Sequence, residues 1–315
     1  MTTMAQILVA TDFSESAGHA ARRAGALARE HQATLHLVHA VDDLRLHMAS
    51  AVMNQQALDA EARLTESANQ QLQAAANQLA SQFGVQVKHE LLIGRTHLQV
   101  ARYAQSHAIE LAVFGAHGDN AVRDLFVGST ASKFLRKGHQ PTLVVRGREH
   151  QPYQRVLVAV DFSPASRLAL ACALRIAPQA SFDVLHVSEL PFEGKMRFAG
   201  ISEDVISGYR QQAETDARRQ LDEFLDEFLD GRDGTDNKRP DITRGDMARA
   251  NLSRVVIHGS PSRTINQQAH AREADLVVMG KRGKLELDEL LLGSVALRVL
   301  EEIDRDLLLV APTEA

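Results

Sequence analysis

The chain has one cysteine, three tyrosines, no tryptophan and no long apolar run, and each shortage removes a class of protein. A single thiol, Cys172, excludes a disulfide within the chain and a multi-cysteine metal cluster. The apolar runs fall far short of the ~20 residues that a membrane-spanning helix needs. The start, Met1-Thr-Thr-Met-Ala-Gln, leads into a strand without a basic stretch and an apolar signal region, which predicts a cytoplasmic protein. Residues 1–150 hold 14 basic and 13 acidic residues, and the remainder 21 and 27. Neither half has the basic excess that phosphate-backbone binding requires, and so few large aromatics leave little for base stacking, so no nucleic-acid partner is expected.

Several enzyme signatures are also missing. There is no Gly-x4-Gly-Lys-Ser/Thr phosphate loop, no Gly-x-Gly-x-x-Gly fingerprint, no Gly-x-Ser-x-Gly elbow and no His-x-Gly-His. No general base is recognisable for phosphoryl transfer, which favours binding over turnover. Eleven of the fourteen histidines lie in residues 1–150. His36 and His39 nevertheless fall on opposite strand faces by parity, and no His-x3-His pair stands on a helix, so no metal site is expected. Cys172, inside Ala169-Leu-Ala-Cys-Ala-Leu, reads as a buried small hydrophobe.

What is present is a duplication. The spacing Gly-x2-Gly-x9-Gly-Ser occurs as Gly115, Gly118, Gly128, Ser129 and again as Gly280, Gly283, Gly293, Ser294. Each copy follows an apolar run and precedes a helix start, an arrangement that offers backbone N–H groups to a phosphate. Glycine there serves either a positive φ or a close approach. The segment Ile7-Leu-Val-Ala-Thr-Asp12-Phe-Ser14 returns as Val156-Leu-Val-Ala-Val-Asp161-Phe-Ser163, Leu37-Val-His39 as Val184-Leu-His186, and Gly94 as Gly259. The glycines could instead only shape turns, and Asp12 and Asp161 could only cap helices.

Periodicity predicts strands near 6–11, 34–41, 85–93, 111–114 and 142–145, with helices near 15–31, 50–83, 97–107 and 129–137. The second half repeats the plan with strands near 155–160, 182–187, 253–258, 275–279 and 307–311. Alternating strands and helices imply parallel sheets. The expected fold is α/β, two tandem doubly wound (Rossmann-like) domains of about five strands each, at 1–147 and 153–315. Leu190 to Tyr209 reads as a loop or short-helix insertion, and Gly231 to Arg239 as an exposed excursion.

The Asp-Phe-Ser segments, the strand-two His followed by Ala40 or Val187, and both glycine spacings together resemble the universal stress proteins in their tandem form, over nearly the whole chain. The resemblance implies ATP as ligand, with Mg2+. Asp12 with Ala40, and Asp161 with Val187, would hold the adenosine part. Gly115, Gly118, Gly128, Ser129 and Thr130 would hold phosphates in the first half, and Gly280, Gly283, Gly293, Ser294 and Val295 in the second. It further implies an internal pseudo-dimer through residues 142–145 and 307–311, a stress or signalling role with a protein partner, and a homodimer as an open option. Lys281, Arg282 and Lys284 predict the second site to be the tighter for polyphosphate. A slow ATPase and a pseudo-dimer that binds no nucleotide are the competing readings.

Overall fold

The computed structural model describes residues 3–41, 55–116, 128–147, 151–230, 251–283 and 292–311. In the first half, β1 (Gln6–Ala10), β2 (Thr34–Val41), β3 (Val87–Ile93), β4 (Leu111–Gly115) and β5 (Thr142–Val145) alternate with α1 (Glu15–His31), α2 (Gln55–Phe83), α3 (Thr96–Ser106) and α4 (Ser129–Lys137). The strands are wholly parallel in the order β3-β2-β1-β4-β5. Ile7, Leu8 and Val9 are fully buried, as are Leu111, Ala112 and Val113, because helices cover both faces of a parallel sheet and an alternating pattern is not needed.

Local chemistry sets the element ends. Ser14 caps α1 by accepting the Ala17 N–H at 3.2 Å, the ordinary use of serine at that position. Gly84 closes α2 with φ +66°, its N–H on the Ala80 carbonyl at 2.9 Å, a left-handed cap that suits a residue without Cβ.

In the second half, β6 (Arg155–Ala159), β7 (Ser181–Ser188), β8 (Asn251–His258), β9 (Leu276–Gly280) and β10 (Asp306–Val310) are joined by α5 (Pro164–Ile176), α6 (Glu193–Phe198), α7 (Glu203–Asp230), α8 (Pro261–Ala271) and α9 (Ser294–Glu302). Their order is β10-β9-β6-β7-β8, again parallel. One compact unit spans Thr3–Pro152 and the other begins at Tyr153. Of the expected insertion, residues 193–198 form the short helix, whereas 203–209 belong to the long α7. Three glycines argued for a loop, but Ile206 is fully buried on the unit and tertiary packing outweighs the helix propensity of Gly208. The excursion at Gly231 to Arg239 lies outside the described residues.

His36 gives the first half a pH dependence. It is 1% exposed, with Nε2–H donating to Gln6 Oε1 at 2.7 Å and Nδ1 accepting the Tyr103 hydroxyl at 2.9 Å. Desolvation, reinforced by the charge of Lys88 and by His107, lowers its pKa to about 4. The unfolded chain therefore takes up a proton near pH 6.5 while the folded chain resists until about 4. Stability is complete above the unfolded value and falls as pH drops through this window, by ~3 kcal/mol. Thermal melts between pH 7 and 4 should show a steeper acid loss for wild type than for His36→Gln; equal slopes would contradict the assignment.

Candidate functional site

In both units the chain winds to one side of the first strand and then crosses to the other, so the winding reverses between β1 and β4 and between β6 and β9. The carboxyl ends of two such strands diverge and leave a crevice. Asp12 lies just past the end of β1 and Asp161 just past β6, while Gly115 and Gly280 end β4 and β9. The repeated sequences therefore stand at the two switch points.

The Asp-Phe-Ser turn is built alike in both halves. Asp161 Oδ1 accepts the Ser163 N–H at 3.0 Å and the Ser166 hydroxyl at 2.6 Å. Asp12 Oδ1 accepts the Ser14 N–H at 3.1 Å and the Ser14 hydroxyl at 2.6 Å. The intervening Phe13 and Phe162 both have φ 63°, a left-handed conformation rarely taken by a bulky residue. A histidine packs against each of them. His186 stacks on Phe162 at 4.2 Å between centroids and His39 lies 4.6 Å from Phe13. His186 Nδ1–H donates to the Val160 carbonyl at 2.9 Å, and His39 Nδ1–H to the Thr11 carbonyl at 2.7 Å. Both histidines thus tie the end of the second strand to the turn that presents the aspartate, and they act as positioning residues.

A second backbone clasp forms the other wall. Lys281 N–H donates to the Val310 carbonyl at 2.7 Å, and its own carbonyl accepts the Gly293 N–H at 3.0 Å. In the first half Ala116 does the same with Val145 at 3.0 Å and Gly128 at 2.7 Å. Gly293 and Gly128 are the N-caps of α9 and α4 without a side-chain cap bond, so neither brings a competing acceptor to the first N–H groups of its helix. The glycines at 115, 128, 280, 283 and 293 all lie outside the positive-φ positions, so positive φ is not their purpose. At Gly115, Gly280 and Gly283 close approach is: a Cβ on Gly115 would stand 2.8 Å from the Ser16 carbonyl carbon and oxygen, one on Gly280 3.0 Å from Ala165 Cβ, and one on Gly283 2.9 Å from Asp161 Oδ2.

In the second half these parts enclose a cavity of about 350 Å³, within the size range of small-molecule sites. Asp161, Val187, Gly280, Gly283, Gly293, Ser294 and Val295 all line it. Sequence reasoning missed Ser166 and Glu189, which line it too, and the apolar wall of Pro261 and Ile265. Ser166 had a signal: the repeat has Ala17 at the matching place, and a hydroxyl one helical turn beyond an aspartate can reach back to it.

The charges differ from expectation. Arg282 lines the cavity, but Lys281 is 3% exposed, where burial first and the neighbouring Arg282 second lower its pKa to about 8. Its matching residue is the small buried Ala116; it occupies a packed position and does not present a solvated cation. Lys284 lies outside the described residues. In the first half, Asp12, Ala40, Gly115 and Gly128 occupy positions matching the second, and Ser129 and Thr130 begin α4. Gly118 lies outside the described residues. Among the described residues no group of three or more His, Cys, Asp or Glu side chains is placed to hold a metal, and no helix is long and apolar enough to cross a membrane.

Two doubly wound parallel α/β units, each with an aspartate turn and a glycine clasp at its switch point, define a tandem Rossmann-like protein. The chain belongs to the universal stress protein family, whose profile matches residues 4–146 and 152–311. It is similar to a universal stress protein of Mycolicibacterium smegmatis, 26% identical over 313 residues, 97% of each chain. It also resembles one of Methanocaldococcus jannaschii, 25% identical over 153 residues, 45% of this chain and 94% of that protein. The crystal structure of a universal stress protein from Archaeoglobus fulgidus shares the fold with a TM-score of 0.65 at 17% identity, covering 98% of each chain.

Proposed function

We propose that this chain is an adenine-nucleotide binder of the stress-response and signalling type, with ATP held at the second switch point. The observation that carries this reading is the cavity bounded by Asp161, Val187, Gly280, Gly283, Gly293, Ser294 and Val295. Val187, Pro261 and Ile265 offer an apolar slot for a base, and Asp161 an acceptor for ribose hydroxyls. The N-terminus of α9 and Arg282 offer N–H donors and positive charge for phosphates. Arg282, rather than Lys281, is the cation that makes this half the tighter for polyphosphate. Mg2+ would be held by the phosphates with water, since magnesium keeps several waters in such sites.

Turnover is expected to be slow. His186, the imidazole beside the cavity, has Nδ1–H committed to the Val160 carbonyl, so that nitrogen is not available as a base toward water. ATP with Mg2+ at 100 times its Kd should raise the melting temperature by roughly 5–10 °C. Hydrolysis should stay far below the ~10 per second of an ordinary enzyme. Mass spectrometry of ligand released from the purified protein supplies the ligand's identity. No thermal response to any adenine nucleotide would sink the proposal; rapid product formation would convert it to an ATPase.

A further inference from the structure

The two halves hold their aspartates with different hydroxyls. In the second half the Ser166 hydroxyl donates to Asp161 Oδ1 at 2.6 Å, and it accepts the Asp161 N–H at 3.0 Å and the Ser163 hydroxyl at 3.4 Å. Its one proton and both lone pairs are committed, which fixes its rotamer. Ser163 and Ser166 are both buried. The Ser163 N–H reaches the same carboxylate oxygen at 3.0 Å, so Oδ1 carries two donors and the carboxylate cannot turn about its last bond without losing both. The other oxygen, Oδ2, faces Gly283 of the glycine loop, 2.9 Å from where a Cβ there would stand, and both residues line the cavity.

The first half builds the same turn without a buried hydroxyl. The residue matching Ser166 is Ala17. The second donor on Asp12 Oδ1 is the Ser14 hydroxyl at 2.6 Å, which also caps α1 by accepting the Ala17 N–H. Asp12 is exposed, whereas Asp161 is half-buried. The turn nonetheless has one geometry in both halves. Phe13 and Phe162 share φ 63°, and the serine N–H meets the aspartate at 3.1 Å in one half and 3.0 Å in the other. A hydroxyl at position 166 is therefore not needed to form the turn. Burying one is unfavourable unless its bonds are made, and what it adds is a carboxylate whose direction is set from inside the protein, out of competition with water.

We propose that Ser166 is a positioning residue that makes the second site select ligands bearing ribose hydroxyls. The inference rests on the reading of Asp161 as the ribose acceptor and names the residue that gives this acceptor its discrimination. A carboxylate oxygen held in one direction rewards a ligand that presents a hydroxyl there. A ligand without the hydroxyl offers a half-buried oxygen nothing in exchange for the water it displaces.

Calorimetric titration of the full chain with ATP and with 2′,3′-dideoxy-ATP, which lacks both hydroxyls, reads this selectivity. An Asp12→Ala background lets the second site be followed alone. There ATP should bind ~30-fold more tightly than the dideoxy compound, the size expected of a hydrogen bond to a charged group. Adding Ser166→Ala should lower that ratio ~10-fold by weakening ATP while leaving dideoxy-ATP where it was. A role confined to holding the fold would weaken the two ligands alike. The first half carries alanine at this place in an intact turn, so the variant should fold. Ser166→Thr keeps the hydroxyl and should keep the ratio. A ratio unchanged by Ser166→Ala, an equal loss of both ligands, or a Ser166→Thr protein that behaves as Ser166→Ala overturns the proposal and leaves nucleotide binding standing. A wild type that binds neither compound overturns the nucleotide reading itself, and this inference with it.

Discussion

Gly115→Ala should destabilise the first half by ~3 kcal/mol, among the largest effects of any single methyl group added to this chain. The new Cβ would lie 2.7 Å from Ser16 Oγ and 2.8 Å from the Ser16 carbonyl carbon and oxygen. Ser16 sits in the first turn of α1, whose position is fixed by the Ser14 cap and by the Asp12 turn, so main chain rather than a flexible side chain has to move. The matching Gly280→Ala should cost less, ~1 kcal/mol. Its nearest neighbours are Ala165 Cβ at 3.0 Å and the Arg282 carbonyl at 3.2 Å, a contact relieved by shifts of a few tenths of an ångström. Hydrogen exchange of the β1 and β6 amides reports each unit separately. Equal losses, or a greater loss at Gly280, would show that the repeated glycines serve something other than this close approach.

The second large effect concerns the aspartate turn. Asp161→Ala should lower ATP affinity in the second half ~100-fold, which corresponds to ~2.7 kcal/mol, the upper range for a hydrogen bond to a charged group. The same change also removes an acceptor for the Ser163 N–H and the Ser166 hydroxyl, so a stability loss of ~1 kcal/mol should accompany it. Asp161→Asn separates the two roles. It keeps an oxygen for the turn and restores the stability, but withdraws the negative charge from the cavity and should leave affinity well below wild type. Calorimetric titration of the three proteins decides the matter: affinity that follows stability, recovering fully in Asp161→Asn, would reduce Asp161 to a brace of the turn before α5, whose N-cap is Ser163, and remove it from the ligand site.

The glycine spacings also show where sequence reasoning reached and where it stopped. That Gly115 and Gly280 end a strand and face a helix start was legible from an apolar run, a glycine and a serine in order. That Gly115 is needed for the backbone of Ser16 was not, because Ser16 lies 99 positions away in sequence and only the β1–β4 pairing brings α1 against β4. Lys281 shows the same limit from the electrostatic side. A cation in a glycine-rich stretch reads as exposed. The clasp to Val310 and Gly293 buries it, and burial penalises the charged form.

By itself the sequence determined the duplicated parallel α/β plan, the membership in the universal stress proteins, and the standing of the Asp-Phe-Ser segments and of Gly115 and Gly280 at strand ends. Those features depend on local order: apolar runs of strand length, helix caps, and turns whose backbone demands leave a readable residue type. Tertiary structure alone decided that Ser166 and Glu189 join Asp161 at one cavity, that Lys281 is buried while Arg282 lines that cavity, and that His186 and His39 brace left-handed phenylalanines. Each of these depends on which strands lie side by side and how closely a helix settles on them. Such distances arise from packing between segments far apart in the chain, and no local pattern encodes them.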